Sequence, residues 1–294
     1  MVTVKKRVIG GGTYYYLEHS LRMNGRVEKK ETYLGKALPK KIEEIKRDFL
    51  HDIYEEKWFK TFDSIRRNFG KERRLMPKSA WEEEVRKFSV RFTYDTQRIE
   101  GSALTLRETA NLLEIGVTPL GKPVQDIKEA EAHQIILYEI LRFHKDLSLQ
   151  TILYWHKRLF ESTKKDIAGR IRQHQVAISG SKFVPPSLAE VYPLLREFFK
   201  WYERSKRELH PVELAGLVHL KFVTIHPFAD GNGRISRLIM NFLLNRQSYP
   251  MLNILYKNRN SYYNALERSQ AKRQDSIFLQ WFFKRYVKDY RGYV

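Results

Sequence analysis

Cysteine is absent from the 294 residues. Disulfides, zinc–thiolate sites and thiol nucleophiles are therefore excluded, and any catalysis must draw on other groups. No stretch approaches the roughly 20 apolar residues of a membrane span, and no basic start leads through an apolar run to a small-residue cleavage site. A soluble, cytoplasmic protein without a membrane partner is expected. There is no Gly-x-x-x-x-Gly-Lys-Ser/Thr P-loop, and no alternating βα pattern surrounds the glycines as a dinucleotide fold requires. Acid is scarce relative to base, 34 Asp and Glu against 54 Lys and Arg, for a formal net charge of +20. That surplus attracts phosphates on nucleic acid, nucleotides or acidic proteins without choosing among them, and a lysine-rich solvated surface shows it too.

What is present suffices for a sizeable core, with 42% apolar residues. In "TYYYLEHSLRMNGRVEKKETYLG", Asn24-Gly25 separates two runs of strand formers and predicts a type I′ hairpin, to which "VKKRVIGGG" adds an edge strand. This small β element covers residues 1–38. From 39 to 78 apolar residues recur at steps of three to five, predicting a helical connector. The remainder, 79–294, reads as a mainly α domain. Gly101 ends one helix, Thr105 with Glu108 forms a capping box for the next, and Gly116 closes it. Ser187 and Glu190 form a second box, and Pro211 suits the first position of a later helix. Between these helices "GRIRQHQVAISGSKFVPP" alternates around a Ser179-Gly180 turn, predicting a short β-hairpin over 176–184.

The densest polar stretch is "HPFADGNGRISR", from His226 to Arg237. Ile235, Leu238, Ile239 and Phe242 make one face of a helix, while Arg234, Arg237 and Asn241 occupy another stripe. "DGNG" then forms a loop at the helix N-terminus, where Gly231, Asn232 and Gly233 can turn backbone N–H groups toward one anion. Asp230 does not bind an anion by itself, but a Mg²⁺ ion bridging its carboxylate to phosphate oxygens would reconcile the two. His226 is placed to take a proton from an attacking group.

This stretch resembles the Fic family signature, HPFxDGNGRxxR, at every specified position, and the resemblance extends over about residues 80–290. It implies a Fic-type helical bundle with a hairpin flap, and Mg²⁺-dependent transfer of AMP from ATP to a Ser, Thr or Tyr hydroxyl of a target protein. His226 would be the base, Asp230 the Mg²⁺ ligand and Gly231, Asn232 and Gly233 the phosphate loop. Arg234 would help hold the phosphates and Arg237 would clamp the γ-phosphate. "TQRIEG", residues 96–101, is similar to the family's inhibitory motif [ST]xxxE[GN]; Glu100 would pair with Arg237, displace the γ-phosphate and, in some relatives, support AMP removal. By the same resemblance Val176, Ala177 and Ile178 belong to a flap that holds the target by strand addition. Tyr262 would pack on adenine and Gln270 would touch the base. His219 reads as a core histidine, and no zinc is assigned.

Two other readings stand beside this one: the same site with another nucleotide or phosphate-linked donor, and a nucleic-acid or ribosome contact through the basic N-terminal element. Residues 1–80 hold 20 Lys and Arg against 11 Asp and Glu, a net +9. A homodimer is left open, since oligomeric state is not legible here.

Overall fold

The structure, a computed structural model, describes residues 2–23 and 26–294. They fall into two compact units, Met1–Ser64 and Ile65–Val294.

In the first unit β1 (Val2–Ile9), β2 (Gly12–Met23) and β3 (Arg26–Gly35) form an antiparallel sheet in that order. Ile9 pairs with Gly12 across Gly10 and Gly11, whose φ values of 56° and 78° are those a two-residue type I′ turn needs. The expected Asn24-Gly25 turn lies outside the described residues. Arg7 lies 4.2 Å over the Tyr16 ring and ion-pairs with Glu18 and Glu31, while Tyr16 packs on Tyr33 at 5.3 Å. Helix α1 (Ile42–Tyr54), a π-helical turn over Glu55–Phe59 and α2 (Lys60–Leu75) follow; α2 carries the chain out of this unit.

The second unit is helical: α3 (Lys78–Ile99), α4 (Leu106–Ile115), α5 (Val124–Leu141), α6 (Leu149–Phe160), α7 (Leu188–Ser205), α8 (Pro211–Ile225), α9 (Asn232–Arg246), α10 (Arg259–Lys272) and α11 (Asp275–Asp289). The fold class is thus mainly α, as the sequence predicts. Local signals act where they were read. Gly101 (φ 100°) lies just past α3, Thr105 and Glu108 form their capping box, Gly116 closes α4 in the left-handed region, and Pro211 opens α8. The Glu190 carboxylate accepts from Ser187 N at 2.7 Å and from its Oγ at 2.5 Å.

Helices α8 and α9 pack on one another and are buried along most of their lengths, α8 because it is apolar on nearly every side and α9 with a buried polar stripe, Arg234, Arg237 and Asn241, that is hydrogen-bonded in the interior. Helices α5, α6, α7 and α11 surround them, and Trp155, Phe143 and Phe242 form an aromatic knot with centroids 5.6–5.9 Å apart. The loop joining α8 to α9 is His226 to Gly231, so the candidate site is built on the most deeply buried scaffold of the unit.

The expected hairpin at 176–184 needs correcting. The chain turns at Ser179-Gly180, where Ser181 N donates to Ile178 O at 3.1 Å and Gly180 takes φ 73°, but neither arm is a strand. Pro185 and Pro186 lack the N–H groups a ladder would need, and their carbonyls accept from the Gln175 and Arg172 side chains instead. No helix among the described residues is long and apolar enough to cross a membrane.

Candidate phosphate-handling site

His226 ends α8 in a left-handed conformation, φ 52° and ψ 55°, which is costly for a residue other than glycine and persists only where neighbours over-determine it. Four contacts do so. Its N–H donates to Phe222 O at 3.2 Å, its Nδ1 lies 3.2 Å from Val223 O, its own carbonyl accepts from Arg172 Nε at 2.9 Å, and the next carbonyl, Pro227 O, accepts from Arg172 N at 2.9 Å. Asn232 closes the turn like a staple: its Nδ2 donates to Phe228 O and its Oδ1 accepts from Phe228 N, both at 2.9 Å. Burial and the nearby Arg172 charge lower the His226 pKa, partly opposed by Val223 O and Glu100. The ring is therefore a neutral base at neutral pH.

Gly231 caps α9 at φ 81°, and a Cβ there would meet the Phe160 ring at 2.6 Å. Glycine is required both by the backbone and by the space. Beyond it the first N–H groups of α9 have no partner within the helix, and the helix dipole places positive charge there.

Asp230 lies between two cations. Its Oδ1 pairs with Arg234 Nη2 at 3.1 Å and its Oδ2 with Lys164 Nζ. Burial raises its pKa, but Arg234 and Lys164 outweigh that and hold the carboxyl below the usual range. Its carbonyl lies 3.0 Å from His156 Nε2. Because His156 Nδ1 accepts from Gly169 N at 2.9 Å, Nε2 carries the proton and donates to Asp230 O; burial pushes this ring to about 4, so it stays neutral. Arg234 is 2% exposed, and its Nη groups are taken by Glu129, Gln97 and Asp230. In this geometry it orients Asp230 from below rather than offering a free guanidinium to a ligand.

Arg237 is 1% exposed and held from three sides: Nε donates to Thr96 Oγ1 at 2.7 Å, Nη1 to the Tyr262 hydroxyl at 3.4 Å, and Nη2 pairs with Glu100 Oε1 at 2.6 Å. Burial alone would lower its pKa, and Glu100 reverses that. The Glu100 carboxylate also lies against the start of α9, so close that a Cβ on Gly233 would collide with it. Glycine at 233 therefore admits an anion to the helix N-terminus.

Two further residues expected at the nucleotide, Tyr262 and Gln270, lie beside this cluster. Tyr262 is 1% exposed, packed on Trp281 at 5.5 Å and His219 at 5.7 Å, so its ring has no free face for adenine. Its hydroxyl accepts from Arg237 and donates to His219 Nε2 at 3.0 Å, which makes it a prop for Arg237. His219, stacked on Phe278 and pushed by burial to about 3, is a neutral core histidine. Gln270 donates to Thr224 Oγ1 at 3.1 Å, two residues before His226. Val176, Ala177 and Ile178 lie on the turn-bearing segment described above.

Glu129, Lys164, His156 and Arg172 complete the site but carry no motif, whereas Thr96, which holds Arg237, opens the TQRIEG stretch. Of the other four, Glu129 alone had a readable signal, an acid in the stripe of α5 that includes His133, Ile136 and Ile140, all buried.

Comparison with known proteins agrees with this architecture. Residues 146–244 match the Fic/DOC family model. A protein of Drosophila yakuba named Protein adenylyltransferase Fic is 36% identical over 178 residues, 59% of this chain and 36% of that protein; its Drosophila melanogaster counterpart is 35% identical over the same length. The chain thus spans about a third of the length of these relatives. Among solved structures, Fic-1 of C. elegans (aa134–508) superposes with a TM-score of 0.72 at 26% identity, over 87% of this chain and 77% of that one. A Fic domain protein of Bacteroides thetaiotaomicron gives 0.68 at 26% identity, over 78% and 95%. Residues 146–244 thus match the Fic/DOC family, and the chain shares the fold of these solved Fic proteins.

Proposed function

We propose that the helical unit is a Mg²⁺-dependent protein adenylyltransferase that moves AMP from ATP to a hydroxyl side chain and is held down by its own Glu100. The observation that carries this reading is the position of Glu100: a carboxylate pairs with Arg237 and lies against Gly233 at the start of α9, the place where the sequence calls for phosphate. The resemblance of residues 226–237 to the Fic signature and the names of the relatives support the same chemistry.

In the reaction the target hydroxyl oxygen attacks the α-phosphorus, the bond to the β-phosphate oxygen breaks, pyrophosphate leaves, and the hydroxyl proton passes to His226. General-base help of this kind contributes about 10²- to 10⁴-fold. The N-terminus of α9 and Arg237 bind the triphosphate and stabilise charge on it, which phosphoryl-type transfer needs more than covalent help. An intact Arg237, aimed by Thr96 and Tyr262, favours a triphosphate donor over one with fewer phosphates. With Glu100 in place Arg237 is already claimed; a difference of about 2.7 kcal/mol between the closed and open pair suffices for 100-fold inhibition.

The donor set at Asp230 fits Mg²⁺. No group of three or more His, Cys, Asp or Glu is gathered to cage a metal among the described residues. Magnesium does not need one, since it keeps waters and takes one or two carboxylates with substrate phosphates. Asp230, with a side chain 35% exposed and already facing the Lys164 cation, would hold it. When bound, the ion supplies positive charge to the phosphate oxygens.

Intact mass measured after incubating Glu100→Gly protein with ATP and Mg²⁺ tests the reading. A gain of one AMP unit is expected, and none in Glu100→Gly/His226→Ala. An unchanged mass of Glu100→Gly in the presence of hydroxyl-bearing protein, itself unchanged, would remove the proposal.

A further inference from the structure

Arg172 lies outside both the 226–237 signature and the 96–101 motif, in the segment between α6 and α7 that has no regular structure, yet it is 3% exposed. Its side-chain partners among the described residues are oxygens of neutral groups. Nε donates to His226 O at 2.9 Å, Nη1 to His174 O at 3.0 Å and Nη2 to Pro186 O at 2.5 Å, with the Gln175 amide oxygen at 3.5 Å. Burial alone accounts for its lowered pKa, with no carboxylate acting on it. A buried guanidinium satisfied by carbonyls is uncommon, because burying a charge without a counter-charge is costly unless its geometry is used.

The three carbonyls belong to three places. His174 begins the 174–186 segment, Pro186 ends it, and His226 is the strained left-handed residue that carries the base. Arg172 N adds a fourth tie, to Pro227 O. The planar fork fixes several acceptors at once, which the single ammonium of lysine does not do. The segment itself has no strand pairing, and these ties, the Gln175 bond to Pro185 O and the Glu267 contacts to Ser181 and Lys182 hold it.

We infer that Arg172 is a positioning residue that locks the His226 peptide to both ends of the 174–186 segment, so that the base and a peptide-like target lying along that segment are aligned by one side chain. This rests on the adenylyltransferase reading. It concerns the transfer step and not nucleotide binding, because none of the Arg172 contacts reaches Arg237, Glu100 or the start of α9. A base displaced by about 1 Å costs about 10²-fold in rate.

The test compares Arg172→Met and Arg172→Lys in a Glu100→Gly background. Thermal unfolding, calorimetric affinity for ATP with Mg²⁺, and the rate of AMP incorporation into the chain itself or into casein as a hydroxyl-bearing probe are measured. Arg172→Met is expected to lose about 100-fold in rate with ATP affinity within twofold of the parent, and Arg172→Lys to recover part of the rate. A folded Met variant within threefold of the parent rate overturns the inference, as does a loss of ATP affinity matching the loss of rate. If Met does not fold, the same two readouts on Lys decide; if neither folds, Arg172 is a fold anchor only and the inference falls. Should the Glu100→Gly parent itself transfer no AMP, the adenylyltransferase reading fails first, and that outcome is distinct.

Discussion

In the N-terminal sheet, Arg7 reaches Glu18 and Glu31 at 2.8 and 2.6 Å with its side chain 35% exposed; in the helical unit, Arg237 reaches Glu100 at 2.6 Å with 1% exposed. The distances are alike and the consequences are not. Water and salt screen the first network, and ion pairs of that kind contribute little. In the second, water is excluded, the guanidinium has two neutral supports, Thr96 and Tyr262, and the carboxylate is the one partner whose place another anion can take. Arg234 with Glu129 is a third arrangement, in which both partners are buried and neither is replaceable. In the proposed function the Arg237 pair would act as a switch because one partner is fixed and the other, Glu100, is partly open at 27%.

Substitutions that break this comparison are ordered by size. Arg234→Met leaves Glu129 buried without its main partner and is expected to destabilise the fold by about 3–5 kcal/mol, read by urea unfolding. The pH dependence comes next. With the His226 pKa lowered, AMP transfer in a Glu100→Gly chain should be flat through neutrality and fall about tenfold per pH unit only below the ordinary histidine range near 6.5. Because this chain lacks the Glu100 carboxylate that raises the pKa, its acid limb should lie lower than that of the wild type. Tyr262→Phe removes a buried hydroxyl that bonds both Arg237 and His219, so the KM for ATP should rise by roughly 2- to 10-fold with a loss of about 1–3 kcal/mol in stability. Arg7→Ala should give the smallest effect, a slight drop in unfolding midpoint that about 0.5 M salt diminishes further, with no effect on AMP transfer.

Much of the site was legible because it is contiguous. Twelve residues from His226 to Arg237 form one turn and the first turns of one helix, so their spacing in sequence is their spacing in space. Glu100 was legible only through resemblance to a short motif, since its partner lies 137 residues away. Glu129 and Lys164 stand 105 and 66 residues from the groups they hold, and no local period reports such a contact. Helix ends read well because capping is decided within four residues. The 176–184 hairpin read poorly because alternation predicts exposure to two faces, not a partner strand, and the prolines that end it remove donors. Family position alone points Tyr262 toward the nucleotide, and its hydroxyl bonds to Arg237 and His219 are not legible from spacing.

The central claim is that Glu100 and the nucleotide compete for one guanidinium. Initial rates of AMP incorporation by wild type and Glu100→Gly, at equal protein, ATP and Mg²⁺, address it most directly. A rise of about 100-fold in Glu100→Gly is predicted, corresponding to about 2.7 kcal/mol held in the closed pair; equal rates in the two proteins would contradict it.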